Sequence, residues 1–292
     1  MSARWCRLAA CAAAVTAIPA CSEDSCPSCD DPVRQGQVAN AELTEVSGVT
    51  ASGRFDDVFY AHNDSSDRAR FFALATNGSD LASFEIDGAD NDDWEDIARA
   101  RCASGDCLYI ADIGDNELMR TSYAVYVVDE PTAIEPGVHT LSSQSLSFTY
   151  PDGPHDAEVL LVHPLTGVVT IVTKVEEGPA GIYELGQLTP DVDLVAEKRG
   201  ELTPPKGSSK FTGGAIHPDA TGLLLRTKTR LFYWPMDPKQ TAAEALRNEA
   251  CRLELADEVQ GEAVAWQRSG DGIVTIGEGL NAAVNVSRCG GA

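Results

Sequence analysis

The chain has 292 residues, 43% of them hydrophobic, and its 45 acidic and 22 basic side chains give a formal net charge of −23. This apolar content excludes a disordered chain, and the length suffices for one large domain or two ordinary ones. Because so acidic a surface repels phosphate backbones, nucleic-acid binding is excluded, and a cation or a cationic partner is expected.

The N-terminal residues are predicted to form a signal peptide. Arg4 and Arg7 precede an apolar run at residues 8–20. That run has the length of a signal-peptide core and is too short to cross a bilayer. We therefore assign residues 1–20 to a signal peptide and expect an exported protein.

The residues that follow resemble the lipidation signal of bacterial lipoproteins. Residues 18–21 read Ile-Pro-Ala-Cys, in which a small residue precedes a cysteine that is acylated and becomes the new N-terminus. Cys21 is then the membrane anchor, and residues 21–40 form a flexible tether before a single domain at 41–292. Ser22 favours the outer membrane. Ordinary cleavage to a periplasmic or secreted protein stays open, because the proline departs from the lipidation pattern.

An even number of cysteines in an exported chain predicts disulfide bonds. Six cysteines follow the lipidation signal, at Cys26, Cys29, Cys102, Cys107, Cys251 and Cys289. Cys102 and Cys107 are expected to close a tight hairpin, while Cys251 and Cys289 are expected to pin the C-terminal end. Cys26 and Cys29 match a CxxC motif by their letters. Since they lie in the polar tether and not at the start of a thioredoxin-type helix, a local disulfide is favoured over a redox function.

A pattern with a period of about fifty residues repeats along the chain. Five segments open a short strand with a small or polar residue followed by apolar ones, at Ser47, Glu95, Glu158, Gly214 and Glu262. A turn and a second apolar strand follow each segment, and third and fourth strands are visible in most units. Four short antiparallel strands per unit are typical of a β-propeller. The sequence therefore predicts an all-β propeller with four-stranded blades, five in number, with six left open.

Two further elements complete this prediction. Thr241 and Glu244 form a capping box, which predicts a short helix over residues 241–248, between strands three and four of the fourth unit. The last unit has room for only about three strands, so its fourth is expected from the segment around 37–43, a closure that removes open sheet edges. We expect a monomer.

Polar residues recur at equivalent positions of the units. The first strands begin with Ser47, Glu95 and Asp96, Glu158, Thr212 and Glu262. The second strands end with His62, Asn63 and Asp64, Asp112 with Asp115 and Asn116, Lys174, Arg226 with Lys228, and Glu278. Because consecutive strands are antiparallel, both sets are expected at one face of the ring, around the mouth of an axial channel.

Glu95, Glu158 and Glu262 share one position in three of the five units, and two roles are open for them. If they face the channel together, burial and mutual repulsion raise their pKa unless a cation neutralises them. With Asp112 they are therefore candidate ligands of Ca²⁺ or Mg²⁺, which prefer oxygen atoms. Alternatively, each glutamate accepts backbone N–H groups of the neighbouring blade and holds the ring together.

Other residues near this face are candidates for ligand binding or catalysis. The candidate ligand-binding residues are Asn63, Asp64, Asp115 and Asn116, of which the last two lie in a turn that suits either calcium or plain turn chemistry. The candidate catalytic residues are His62 and His155 for proton transfer, and Lys174 and Arg226 for neutralising an anionic substrate. The sequence contains no GxSxG, HExxH, P-loop or dinucleotide-binding motif.

Several short strings carry a resemblance to a known family. They are Glu-Val-Ser-Gly-Val at 45–49, His-Asn-Asp at 62–64, Asp-Trp-Glu-Asp-Ile-Ala at 93–98, Asp-Ile-Gly-Asp-Asn at 112–116, His-Asp-Ala-Glu at 155–158 and Gln-Gly-Glu-Ala at 260–263. They resemble exported bacterial β-propeller proteins and lipoproteins that are mostly uncharacterised. More distantly, the chain is similar to esterase-like phytase and regucalcin-type lactonase propellers. The resemblance implies a propeller, a divalent metal at the channel mouth and hydrolysis of a phosphoester or lactone, although Thr212 replaces the acid in the fourth unit.

Three functions are compatible with the sequence. The first is a lipid-anchored propeller that binds a small ligand or a cation at the channel mouth, and it is favoured because a catalytic motif is missing. The second is a metal-dependent phosphoesterase or lactonase. The third is a protein-interaction scaffold. Fold alone does not choose among them.

Overall fold

A computed structural model describes residues 26–65, 67–187, 194–205 and 210–290. Within these ranges the chain consists almost wholly of β-strands and turns, with one short helix. The prediction of an all-β protein is confirmed. The predicted signal peptide and Cys21 lie outside the described residues. No helix in the described ranges is long and apolar enough to span a membrane.

The segment at residues 26–40 is not the free tether that its composition predicts. It contains β1 (Ser28–Cys29) and β2 (Val33–Gln37). Both strands pair antiparallel with the last strand of the chain, at residues 283–290. The N-terminal segment therefore supplies an outer strand to the C-terminal sheet, as the sequence predicts, but from residues 33–37 and not from 37–43.

The remaining strands form five antiparallel groups, which we call units 1 to 5. Unit 1 contains β3 (Val46–Ala51), β4 (Val58–Asn63), β5 (Arg70–Ala75) and β6 (Asp80–Asp87). Unit 2 contains β7 (Trp94–Cys102), β8 (Gly105–Asp112), β9 (Tyr123–Asp129) and β10 (Val138–Thr149). Unit 3 contains β11 (Ala157–Val162), β12 (Val168–Thr173), β13 (Ala180–Gln187) and, after the two-residue strand β14 (Leu194–Val195), β15 (Glu197–Leu202).

The last two units complete the chain. Unit 4 contains β16 (Phe211–Ile216), β17 (Gly222–Thr227), β18 (Arg230–Pro235), α1 (Ala242–Ala245) and β19 (Cys251–Leu253). Unit 5 contains β20 (Gly261–Trp266), β21 (Gly272–Gly277) and β22 (Ala283–Gly290), joined by β2 and β1. The helix begins after Thr241, whose capping box with Glu244 is present, so the predicted insertion between β18 and β19 is confirmed.

Units 1 and 2 are joined at their outer edges into one nine-stranded sheet. The first half of β10, residues 138–142, pairs parallel with β6, whereas residues 143–148 pair antiparallel with β9. The short strand β14 adds to β10 in parallel. Units 3 and 4 are separate four-stranded sheets.

The first strands of the five units contact one another in a closed cycle. β3 contacts β7, β7 contacts β11, β11 contacts β16, β16 contacts β20, and β20 contacts β3. Five hydrophobic clusters lie between consecutive units. Phe148 and Leu160 belong to the cluster between units 2 and 3, for example, and Phe59 and Val274 to the cluster between units 1 and 5. The core therefore lies in the seams between units, and strands such as β3 and β11 are buried along their whole length.

Three disulfides tie the chain together. Cys102 bonds Cys107 across the β7–β8 hairpin, as the spacing predicts. The predicted local bond between Cys26 and Cys29 is wrong, and so is a bond within the C-terminal end, because the two remaining disulfides join Cys26 to Cys251 and Cys29 to Cys289. These bonds fix the N-terminal segment to units 4 and 5. Three disulfides in one chain indicate an oxidising, extracytoplasmic compartment.

Candidate functional site: an acidic group at the start of the first strands

One position near the start of every first strand interrupts the pairing with the second strand. The pairing register shifts by one residue there in all five units, at Ser47, Glu95, Glu158, Thr212 and Glu262. All five residues are buried. The five residues therefore occupy equivalent backbone positions, as the sequence repeat predicts. Glu158 is close enough to both Glu95 and Glu262 to repel them electrostatically.

Two of the three glutamates form an ion pair with a lysine that directly follows a second strand. In unit 3 the Lys174 Nζ contacts the Glu158 Oε1. The Lys228 Nζ of unit 4 lies 3.3 Å from the Glu262 Oε1. In unit 2 the corresponding residue is Ile113. Glu95 forms no ion pair with a lysine or arginine among the described residues, although the Lys174 ammonium is close enough to favour its charged form.

Three carboxylates converge at Glu95, and we call Asp64, Asp93 and Glu95 the acidic triad. One carboxylate oxygen from each lies within 4.8 Å of the others. Burial, followed by repulsion from Asp64, raises the pKa of Asp93 to about 6. Burial, followed by repulsion from Glu158, raises the pKa of Glu95 well above its usual range. Three carboxylates this close repel one another, and either protonation or a bound cation relieves that repulsion.

Gly114 has no side chain, and the carboxylates of the acidic triad occupy the space that a side chain would fill. A Cβ atom on Gly114 would lie 2.3 Å from the Asp93 Oδ2 and 2.4 Å from the Glu95 Oε1. The Gly114 carbonyl accepts a hydrogen bond from the Arg120 Nη1 at 3.0 Å, and the Gly114 N–H donates to the Asp93 carbonyl at 3.1 Å. The loop after β8 is thus held directly against two of the three acids, and only glycine fits there.

The predicted metal ligands separate into two classes. Glu95 belongs to the acidic triad, and Glu158 lies beside it with one oxygen, Oε2, that is buried and has no hydrogen-bond partner. Glu262 is paired with its lysine. Asp112, in contrast, accepts hydrogen bonds from the Arg120 Nη1 at 2.6 Å and the Asp93 N–H at 3.1 Å. Both of its oxygens accept hydrogen bonds within the protein, and Asp112 connects the loop after β8 to the start of β7.

Of the predicted ligand-binding residues, Asp64 lies in the acidic triad. Asn63 instead holds the N-terminal segment, because its Oδ1 accepts the N–H groups of Thr44 and Glu45 at 3.0 Å. The Asp115 carboxylate accepts the Arg120 N–H at 3.0 Å and the Tyr123 hydroxyl at 2.8 Å. Asn116 is exposed on the loop surface.

Of the candidate catalytic residues, only Lys174 forms an ion pair with one of the three glutamates within the described ranges. His62 is fully buried, and burial lowers its pKa to about 4, so it is neutral and enclosed. The His155 Nε2 contacts the Asp152 Oδ1 at 2.9 Å and the Tyr183 hydroxyl at 2.8 Å, in a separate cluster. Arg226 is wholly buried, with its Nη2 2.8 Å from the Glu258 Oε2. The structure does not gather these residues into a catalytic group.

Several side chains at the start of the first strands connect neighbouring units. The Ser47 hydroxyl donates to the Glu95 carbonyl at 2.7 Å, and the Thr212 hydroxyl donates to the Gly261 carbonyl at 3.0 Å. Asp96 accepts the Leu160 N–H of unit 3 at 3.0 Å. The Glu95 carboxylate also accepts the Ser47 hydroxyl of unit 1 at 3.3 Å, and Glu262 pairs with Lys228 of unit 4, so these two glutamates take part in the contacts between units.

Sequence reasoning missed Asp93 and Gly114. Both stand in strings that the sequence singles out, Asp93 directly before Trp94 and Gly114 between two acids. The signal that identifies them is spatial, because the loop after β8 folds back onto the start of β7.

Comparison with known proteins does not identify a relative of this chain. No protein-family model matches the chain, and no curated protein matches it. Function is therefore inferred from the chemistry of the acidic triad and its surroundings.

Proposed function

We propose that the five units are the blades of a five-bladed β-propeller, with their first strands around an axial channel. The closed cycle of contacts among β3, β7, β11, β16 and β20 supports this arrangement. So do the five hydrophobic clusters, one in each seam between consecutive units. In a propeller the shared pairing interruption at the start of each first strand would lie at one mouth of the channel.

We propose further that the protein binds a divalent cation at this mouth, through Asp64, Asp93 and Glu95, and that Ca²⁺ is the first ion to test. The observation that carries the proposal is the convergence of three carboxylate oxygens within 4.8 Å of one another, beside a lysine, Lys174, that is already paired with Glu158. The buried, unpartnered Oε2 of Glu158 offers a further oxygen close by. Hard cations such as Ca²⁺ take several carboxylate oxygens.

Binding is favoured over hydrolysis because the candidate proton-transfer groups are enclosed or already paired. His62 is enclosed and His155 is occupied by Asp152 and Tyr183. Lys174 is already in contact with Glu158. We therefore propose a cation-binding or small-ligand-binding protein, exported and anchored to the membrane through Cys21, that acts as a monomer and belongs with the exported bacterial propellers it resembles.

The direct test is calcium titration of a Glu95→Gln variant. We expect Ca²⁺ affinity, measured by isothermal titration calorimetry, to fall about tenfold or more, because one ligand oxygen becomes an amide nitrogen or a weaker neutral acceptor. Glu262→Gln is the matched control. It changes the equivalent position of unit 5, where Lys228 neutralises the acid, and its calcium affinity should stay close to that of the wild type.

Two results would contradict the cation proposal. One is a wild-type protein that binds neither Ca²⁺ nor Mg²⁺ after treatment with a chelator. The other is an equal loss of affinity in Glu95→Gln and Glu262→Gln. Thermal unfolding of both variants shows whether the fold has survived.

Calcium stabilisation should also depend on pH. The pKa of Asp93 is raised to about 6, so the folded, metal-free protein retains a proton that the unfolded chain has already released. Above pH ~6 this carboxylate is charged and repels its neighbours, and a bound cation removes that cost. The rise in melting temperature on adding Ca²⁺ should therefore be larger at pH ~7.5 than at pH ~5. Equal shifts at both values would contradict a site that contains Asp93.

A further inference from the structure

A second concave surface lies in the seam between units 1 and 5, at the end of the first strands opposite to the acidic triad. It is a groove of 1140 Å³. One wall is the turn between β3 and β4, and the other is the turn between β20 and β21, with the outer part of β22. This volume is slightly above the usual range of small-molecule sites, which is about 300–1,000 Å³. The cation proposed above does not use it.

The groove combines hydrogen-bond donors and acceptors over a small apolar floor. The carboxylates come from Asp56, Asp57 and Asp271, and the guanidinium groups from Arg268 and Arg288. Side-chain amides and hydroxyls lie between them, at Gln35, Asn77, Gln267, Thr76 and Ser269. The floor includes Val58, Phe59 and Val286. Three acids against two arginines give the groove a formal charge of only −1, in a protein whose net charge is −23.

Two of these side chains have no partner inside the described part of the protein. Arg288 is exposed and forms no ion pair there. Asp57 has a left-handed backbone, with φ 59°, and its carbonyl accepts the Thr76 N–H at 3.1 Å, which fixes the turn. The Asp57 side chain is exposed beside this fixed turn. Arg268 and Asp56 form an ion pair that connects the two walls. A guanidinium and a carboxylate are thus available on opposite walls.

We propose that this groove binds a neutral oligosaccharide. Each sugar hydroxyl both donates and accepts a hydrogen bond, so it suits a surface on which carboxylates and guanidinium groups are interleaved. The C–H faces of a sugar ring can rest on the apolar floor. An anionic ligand would meet three carboxylates, and a cationic one would meet two arginines, so a polyhydroxylated ligand without net charge fits best.

The test is a printed array of neutral, sialylated and sulfated oligosaccharides, probed with the labelled full-length protein. We expect neutral glycans to be retained. Asp57→Asn and Arg288→Gln should each weaken binding to the best neutral glycan at least about tenfold, as measured by calorimetry. Asparagine adopts the left-handed conformation readily, so Asp57→Asn should fold normally. Arg252→Gln is the matched control, because Arg252 is also an exposed arginine without an ion pair but lies on β19, outside the groove.

Several outcomes would overturn this proposal. They are retention of no glycan, retention of charged glycans only, and an equal effect of Arg252→Gln and Arg288→Gln. The variant Glu95→Gln separates this site from the proposed cation site. It should bind the neutral glycan as the wild type does, and a loss of glycan binding in that variant would place the sugar at the acidic triad and refute the groove. Failure of calcium binding would leave the glycan result unaffected.

Discussion

Replacing Asp96 by alanine should destabilise the protein by roughly 3–5 kcal/mol. Asp96 is 1% exposed and lies at the start of β7. Its Oδ1 accepts the Ile97 N–H at 2.8 Å, and its Oδ2 accepts the Leu160 N–H of unit 3 at 3.0 Å. Burial raises the pKa of Asp96 well above its usual range, and the N–H groups of Leu160, Ile97 and Gly214 partly oppose this rise. Alanine would leave these buried donors without an acceptor, in the seam where three units meet.

The measurement is urea unfolding with the disulfides intact and a chelator present, so that neither reduction nor a bound cation contributes. Asp106→Ala is the matched control, because the half-exposed Asp106 forms an ion pair with Arg99 at 3.1 Å on the adjacent strand. That change should cost less than about 1 kcal/mol. If Asp96→Ala costs no more than Asp106→Ala, Asp96 does not hold the units together.

The sequence repeat predicts which positions of the five units are equivalent. Residues such as Glu95, Glu158 and Glu262 were recognisable as equivalent because each precedes a buried strand by the same short distance. The structure places all of them at the same shift in pairing register. Local periodicity encodes this information, since a strand with both faces buried has a distinctive apolar run.

Partners that are distant along the chain were not predictable. Cys26 and Cys29 are close in sequence, yet each bonds a cysteine more than 200 residues away, at separations of 225 and 260. The sequence alone makes Asp112 and Arg226 candidate functional residues, because each carries a charge at the predicted mouth of the channel. Their roles are fixed by Arg120 and Glu258, and only the folded loops bring those partners into contact. A single sequence shows which residues are charged but not which charges are already paired.

The Arg226–Glu258 ion pair is a second site where one substitution should have a large effect. The two side chains are 0% and 3% exposed. The Arg226 Nη1 also donates to the Ala263 carbonyl of unit 5 at 2.9 Å. The Glu258 Oε1 accepts the Thr275 hydroxyl at 2.7 Å and the Asn285 amide at 2.9 Å. This network connects β17 of unit 4 to three strands of unit 5.

Arg226→Ala should therefore destabilise the protein by about 3–5 kcal/mol, because it leaves a carboxylate buried without its counter-charge. A double-mutant cycle with Glu258→Gln distinguishes an ion pair from simple loss of packing. If the charge of Glu258 is the cause, Glu258→Gln should recover part of the stability that Arg226→Ala loses, and the two effects should not add. The exposed pair of Arg68 and Glu85 supplies the comparison, since Arg68→Ala should change the free energy of unfolding by no more than about 1 kcal/mol. Strict additivity at the buried pair would mean that Arg226 acts through its packing and its bond to Ala263, and that the charge of Glu258 is tolerated alone.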